Sequence, residues 1–439
     1  MKLVYDVESK PKFWQNLVFA LQQLLAIIAA TLLVPVLVNG AQDHIVMDQA
    51  AALFGAGVGT IVYVLFTKRR SPVFLGSSFA FISPLIGAAA CGFLGSIIGT
   101  FFAGLVYVVI AIVIKLVGTN WVDKLMPPVI IGPTVALIGL SLCGSAVNNI
   151  NNTAAGSYNL VAILCGFVTF IVTVLASAKG SKMMKLIPFI IGILAGYVVA
   201  SIFTVIGTVA GIDYLKLINY TPLTTMDSFF RVPEFTFVKA LTGNAGIKVG
   251  VTEIINLLVL FAPVALVVFA EHIADHKNLS SVIGRDLIKD PGLDKTLLGD
   301  GVGSIAGSIF GGCPNTTYGE AVGCVAISGN ASVYTIITTA ILCMCLSFLN
   351  PFVQFVNTIP SCVIGGICIA LYGFIAVSGL KMLKDVDLGD NNNLFVVCAI
   401  LVPGIGGLTL NFGPIQLSAI ATALICGIFV NALLKIKKQ

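Results

Sequence analysis

Apolar segments of spanning length recur along almost the whole chain, and this leaves little choice of architecture. A helix that crosses a bilayer needs roughly 20 predominantly apolar residues, and in lipid only a helix or a closed barrel satisfies its own backbone N–H and C=O groups. Apolar stretches fall near 13 to 38, 48 to 66, 73 to 90, 92 to 114, 126 to 144, 159 to 177 and 186 to 207. After a more polar interval from 208 to 250, others fall near 252 to 274, 297 to 312, 313 to 328, 332 to 350, 359 to 379, 394 to 411 and 414 to 434. Of the 439 residues, 58% are hydrophobic and 10% charged, against about 25% charged in a soluble domain, so little is left for a soluble unit. The expected fold is an all-α polytopic membrane protein with 14 transmembrane segments. The first run is too long for a signal-peptide core and lacks a cleavage site, so it is read as a span.

Basic residues orient these spans, because short cytoplasmic loops carry the excess of Lys and Arg. With the N-terminus inside, the inside segments hold Lys2, Lys10, Lys12, Lys68 to Arg70, Lys115, Lys124, Lys179, Lys182 and Lys185. They continue with Lys277, Arg285, Lys289, Lys295, Lys381, Lys384, Lys435, Lys437 and Lys438. Four exceptions, Lys216, Arg231, Lys239 and Lys248, leave 20 of the 24 basic residues on one side. All four lie in the long interval from 208 to 250, where the charge rule is weaker.

Composition also excludes several roles. A net charge of +5 is not gathered on one face, so a nucleic-acid partner is not expected. The 11 Cys residues mostly sit singly in apolar runs, as Cys165, Cys343, Cys398 and Cys426 do, and read as reduced, packed thiols. With only His44, His272 and His276, and no paired ligand spacing, neither a metal nor a cofactor is expected.

Seven spans per half is an odd number, so a second copy of the first half enters the membrane from the opposite side, as in an inverted repeat. Traces of such a copy are present. Pro127-Pro128-Val-Ile-Ile-Gly132 and Pro360-Ser-Cys-Val-Ile-Gly365 open spans five and twelve at an offset of 233. Gly76-Ser77-Ser78-Phe79 and Gly311-Gly312-Cys313-Pro314 in spans three and ten are offset by 235.

Those two spans are also the least helical. Leu75-Gly-Ser-Ser-Phe-Ala-Phe-Ile-Ser-Pro84 puts hydroxyls, aromatics and proline where plain aliphatics belong, and Gly311-Gly-Cys-Pro-Asn-Thr-Thr-Tyr-Gly-Glu320 combines two glycines, a proline and two threonines. Both read as beginning with short extended strands that pair with each other and leave free N–H groups at the adjoining half-helix starts. Interrupted backbone is tolerated at membrane depth where it lines a cavity, and matching interruptions in two repeats point to a transport site. The alternative is a pair of simple kinks.

Carboxylates inside spans are costly and seldom kept without use. Glu320 follows the broken start of span ten, and Glu271 opens Glu271-His272-Ile-Ala-Asp275-His276 after an apolar run. Helical spacing puts Glu271 and Asp275 on one face and His272 and His276 on an adjacent one. Glu271 either marks the cytoplasmic end of span eight or, if the helical pattern continues through Leu279 and Ile283, lies within it. Two carboxylates in a dry site suit a cargo with N–H donors. Loss of water favours the neutral acid, so one of them can also carry a proton across.

Taken together, these residues resemble the nucleobase/ascorbate transporter family (nucleobase:cation symporter 2), in particular its bacterial uracil permease branch. The resemblance runs almost end to end: Leu21-Gln22 with Thr31-Leu-Leu-Val-Pro35, the span-three segment quoted above, Ala270-Glu-His272, Arg285-Asp-Leu-Ile-Lys-Asp-Pro-Gly-Leu293 and Pro314-Asn-Thr-Thr-Tyr-Gly-Glu320. It implies two inverted seven-span repeats. A core would comprise 1–118 and 251–356, a gate and dimer-contact unit 119–207 and 357–439, and an external loop 208–250. It further implies an elevator-like movement coupled to protons, uracil or a related nucleobase as cargo, a homodimer, and a bacterial cytoplasmic membrane with both termini inside.

In that family two glutamates grip the base, which corresponds to Glu271 and Glu320, and backbone amides contribute at Phe79, Tyr318 and Gly319. Asp275, His272, Gln22 and Thr317 are implied as supporting or proton-coupling residues. Three positions depart from the family pattern: Gln23 replaces a histidine, Ala321 an asparagine, and Asp275 a histidine found in some uracil permeases. A purine or xanthine carrier of the same family, which usually has an amide at one of the two acidic positions, is the alternative within transport. An anion exchanger of the same architecture is a further one, and an enzyme is not expected because no nucleophile–base pair appears.

Overall fold

The computed structural model describes residues 3–42, 45–151, 158–242, 249–412 and 415–435. Lys2, His44, Lys248, Lys437 and Lys438 lie outside the described residues. The first half runs through α1 (Phe13–Gly40), α2 (Gln49–Phe66), β1 (Leu75–Ser77), α3 (Ile82–Ala88), α4 (Gly92–Val117), α5 (Pro128–Ser141), α6 (Leu160–Lys179) and α7 (Pro188–Ala210). The second half runs through α8 (Val251–Ile283), α9 (Leu293–Phe310), β2 (Asn315–Thr317), α10 (Gly319–Ser328), α11 (Val333–Leu346), α12 (Ser361–Lys381) and α13 (Asn391–Ile405). A hairpin of β3 (Leu410–Phe412) and β4 (Ile415–Leu417) then leads into α14 (Ala419–Lys435).

Eight helices among the described residues are long and apolar enough to cross a membrane, and α10, α11, α13 and α14 are shorter apolar helices. Helix α9 belongs to neither group, for a physical reason. It carries Asp294, Lys295, Asp300 and a run of Gly and Ser, but it is wedged between α2 and α4 and needs no lipid-compatible surface. Gly299, Gly303 and Gly307 recur every four residues along it, the small-residue spacing that lets helix backbones meet. A Cβ at Gly303 would sit 2.7 Å from the Gly59 carbonyl oxygen of α2, and one at Gly104 of α4 would sit 2.6 Å from that of Gly301.

Helices α1 to α4 pack mainly with α8 to α11, and α5 to α7 with α12 to α14. The pattern survives exchange of the halves: α1 against α11 mirrors α8 against α4, α6 against α7 mirrors α13 against α14, and α2–α9 and α5–α12 map onto themselves.

At the middle of the first group, β1 and β2 pair antiparallel, with Leu75 opposite Thr317, Gly76 opposite Thr316 and Ser77 opposite Asn315. The Ser78 N–H extends the ladder to the Pro314 carbonyl at 3.0 Å. A two-stranded ribbon has two open edges, which cannot be left unpaired away from water. Side chains close them. Thr60 of α2 accepts from the Leu75 N–H at 3.0 Å and donates to the Leu75 carbonyl at 3.1 Å, and Ser304 of α9 accepts from the Asn315 N–H at 2.9 Å.

The interval 208 to 250 is more structured than a plain loop. It contains short helices at Thr221–Thr224 and Thr236–Leu241, and Arg231 reaches Asp48 at the start of α2 at 3.2 Å. At the opposite end of the bundle, the segment before α1 lies along the α10–α11 turn: the Val4 N–H donates to the Gly329 carbonyl at 2.8 Å, and Tyr5 accepts from the Ala331 N–H at 2.9 Å.

Candidate binding site

Helix α8 is 33 residues long, about 50 Å at 1.5 Å per residue, well beyond the roughly 30 Å hydrocarbon core. It continues through Leu279 to Ile283, so Glu271 lies about 18 Å from its end, within the helix. Of the two readings open from sequence, the helix follows the second. Glu271 and Asp275 sit one turn apart, facing β2.

Successive threonines of β2 meet these two acids. Thr316 donates its hydroxyl to Glu271 Oε2 at 3.1 Å, and Thr317 donates to Asp275 Oδ2 at 2.6 Å. A strand alternates its side chains, but the bend from β2 into α10 turns both hydroxyls toward α8. Just beyond, Tyr318 caps α10, whose first turn holds Glu320. The first backbone N–H groups of a helix lack intrahelical partners and favour negative or carbonyl groups. On the β1 side, Phe79 opens a tight turn that feeds α3. Gly76 is required in β1 because the Tyr318 ring lies where its Cβ would be, and the Tyr318 hydroxyl donates to the Ser77 carbonyl at 3.0 Å.

Glu271, Asp275, Thr317, Tyr318, Gly319, Glu320 and Phe79 all line one cleft. Its opposite wall comes from the other helix group, with Val135 of α5 and Phe374, Ile375 and Ser378 of α12. Tyr372 of α12 meets the Phe79 ring edge-on, with centroids 5.7 Å apart. Among the described residues neither Glu271, Asp275 nor Glu320 pairs with Lys, Arg or His. Three acids converge without a cation, so the cleft presents acceptors on one side and helix-start donors beside them. No metal-ligand set occurs among the described residues.

Two of the residues singled out from sequence are not brought into the cleft. His272 points away from the cleft on an adjacent face of α8, fully buried, with Nδ1 2.8 Å from Asp300 Oδ2 and Nε2 3.1 Å from Thr296 Oγ1. Gln22 is half-buried, its Nε2 3.3 Å from Met183 Sδ, whereas its neighbour Gln23 is buried and reaches the Ala321 carbonyl at 3.5 Å. Thr316 and the α12 side chains are additions that the sequence reading missed. The same rule that exposed Glu271, a carboxylate inside a span, would also have found Asp300.

The sequence profile of the Permease family matches residues 14–412, nearly the whole chain. The chain belongs to this family. As a permease it is a transporter rather than an enzyme. It is 39% identical to the uracil permease of Bacillus caldolyticus over 100% of this chain and 96% of that protein. It is 38% identical to the uracil permease of Bacillus subtilis (strain 168), over 99% of this chain and 95% of that one. Among solved structures, this permease resembles the transmembrane domain of a cyanobacterium bicarbonate transporter, BicA, with a TM-score of 0.61 at 15% identity, covering 96% of this chain and all of that one. At that identity the likeness concerns the fold. The family and the eight spanning-length apolar helices make this permease a multi-pass membrane protein.

Proposed function

We propose that this permease imports uracil by proton symport across a bacterial cytoplasmic membrane. The observation that carries the reading is the approach of Glu271 and Glu320, from different spans of the second half, to one cleft beside the β1–β2 pair. Uracil offers two ring N–H donors to these acids and two carbonyl oxygens to backbone amides at Phe79, Tyr318 and Gly319. The full-length similarity to uracil permeases supports the same cargo. Glutamate at 320, where a purine carrier usually has an amide, favours a pyrimidine.

In this reading the chain crosses the membrane 14 times as two inverted repeats, with both termini cytoplasmic and two copies forming a dimer. Residues 1–118 and 251–356 form a core that carries cargo and proton. Residues 119–207 and 357–439 form a gate against which the core slides, and 208–250 is external. Asp275 and Thr317 hold Glu271 and β2 in register, and a proton taken up by the acid cluster outside is released inside. The cleft lies between the two helix groups, where sliding would expose it alternately.

Uptake of labelled uracil into proteoliposomes, with unlabelled uracil, xanthine, guanine and thymine as competitors, tests this directly. Uracil alone should compete fully, and an imposed inward proton gradient should drive accumulation that a protonophore abolishes. Full competition by xanthine would overturn the cargo, and a strict sodium requirement would overturn the coupling ion.

A further inference from the structure

Beside the cleft, on an adjacent face of α8, lies a second group of buried ionisable side chains that the transport reading does not use. His272 and Asp300 are both fully buried and 2.8 Å apart, and Asp300 Oδ1 has no partner among the described residues. Around them stand Tyr63 of α2, Tyr107 of α4, Glu271, Asp275 and His276 of α8 and, beyond the last acids, Glu320 of α10. On α9 itself Asp294 and Lys295 occupy the first turn, with Lys295 Nζ bound to the Pro291 carbonyl at 2.9 Å. Among the described residues no Lys or Arg forms an ion pair with His272 or Asp300.

Counting hydrogens around His272 gives two complete solutions. Its neighbour His276 has Nδ1 2.8 Å from the His272 carbonyl, which only accepts, so Nδ1 carries a hydrogen, and in the neutral ring Nε2 accepts from the Tyr63 hydroxyl at 2.8 Å. For His272 the deciding atom is the Thr296 hydroxyl, which has a single hydrogen and two acceptors in reach, the Leu293 carbonyl at 3.2 Å and His272 Nε2 at 3.1 Å. When Thr296 donates to Leu293, it accepts from a His272 Nε2–H, and the bond to Asp300 holds a further proton, so the pair is neutral overall. When that proton is absent, Thr296 rotates and donates to Nε2, the remaining Nδ1–H donates to the Asp300 carboxylate, and the pair carries one negative charge. The two states differ by one bound proton and one hydroxyl rotation, with no heavy atom moved.

We propose that the His272–Asp300 pair is a proton-binding site separate from the cargo cleft, with the Thr296 hydroxyl as its two-position switch. The reaction is the binding of one proton from water, with no other covalent change. Since Glu271 precedes His272 on the same helix and lies within the field of Asp300, the state of the pair alters the charge felt by the cargo-binding acid. This use of the proton rests on the coupling proposed above, whereas its residence on the pair does not.

Infrared spectra of the purified protein over a pH series, in water and deuterium oxide, test the site without cargo. A protonated-carboxyl band should be lost in Asp300→Asn and retained in Glu320→Gln. Thr296→Ser should titrate as the parent does, while Thr296→Val, which neither accepts nor donates, should move the midpoint by about one pH unit or more, the scale of one hydrogen bond. Spectra of Asp300→Asn identical to the parent's, or identical titration of the Val and Ser variants, would overturn the proposal. If Asp300→Asn does not fold, the Val and Ser pair decides alone. In proteoliposomes Asp300→Asn should still exchange labelled for unlabelled uracil but not accumulate it under a proton gradient. Accumulation equal to the parent's would remove the pair from coupling, and absence of exchange in the parent itself would instead refute the cargo.

Discussion

Thr317 donates its hydroxyl to Asp275 across 2.6 Å and so fastens a strand at the centre of the molecule to its longest helix. The same strand is held on its other side by Ser304, so β2 is gripped from α8 and α9 at once. Replacing Thr317 by Val keeps its shape and removes that donor, leaving a buried carboxylate oxygen unpartnered at a cost of about 1–3 kcal/mol. Thermal unfolding of the detergent-purified variant should show a clearly lowered Tm, and Thr317→Ser should restore most of it. A Val variant as stable as the parent would show that the bond contributes nothing.

Glu271→Gln and Glu320→Gln should each abolish concentrative uptake. Loss of one charge-assisted hydrogen bond to cargo is worth about 1.5–3 kcal/mol, which is roughly 10- to 150-fold in Kd. Calorimetry with uracil on each purified variant measures the loss, and unchanged affinity in either would remove that residue from the binding surface.

Gly303→Ala brings a methyl group within 2.7 Å of the Gly59 carbonyl, between two helix backbones with no flexible side chain to yield. Overpacking of this kind costs about 1–3 kcal/mol. The variant should unfold at lower temperature, whereas Gly323→Ala, where nothing lies within 4 Å of the new Cβ, should behave as the parent apart from a slight gain in helix preference.

Arg70 and Asp290 join two loops at the end of the bundle that holds the N-terminal segment, with 2.8 Å between Nη1 and Oδ1. The Arg70 guanidinium holds the Asp290 carboxyl below its usual range. A lowered folded-state value means the contribution is present above the unfolded value of 3.8 and is lost as pH falls through the lowered one. Any change in stability between pH 5 and 8 therefore arises elsewhere. Arg70→Gln should leave the shape of the Tm profile across that window unchanged, and a new slope there would contradict the assignment.

Much of this arrangement was legible in the residues alone. The apolar run from 159 to 177 falls on α6, and the weak helix formers of Leu75–Pro84 and Gly311–Glu320 mark where strands replace helix. The i to i+4 spacing of Glu271 and Asp275 was enough to place both on the cleft. Less visible was α9, whose run was expected from 297 but begins at Leu293. Periodicity reports which side of a helix avoids water, and a helix enclosed on two faces by glycine contacts has no such side to report. The partners of Thr316 and Ser304 were hidden for another reason, since they depend on how a strand docks between two helices distant in sequence. Gln22 and Gln23 differ by 100° of helix rotation, too fine a distinction for apolar runs with blurred ends.

The stitching of the β1–β2 ribbon to Thr60 and Ser304 divides the labour of the cleft. Its acids and amides are mounted on a framework that cannot shear without exposing bare backbone. Among the described residues the facing wall of Val135, Phe374 and Ser378 shares no such bond with the ribbon, so the sliding proposed above would replace it with another surface. If the proposed sliding holds, selectivity is built into the part that moves and closure is left to the surface it moves past.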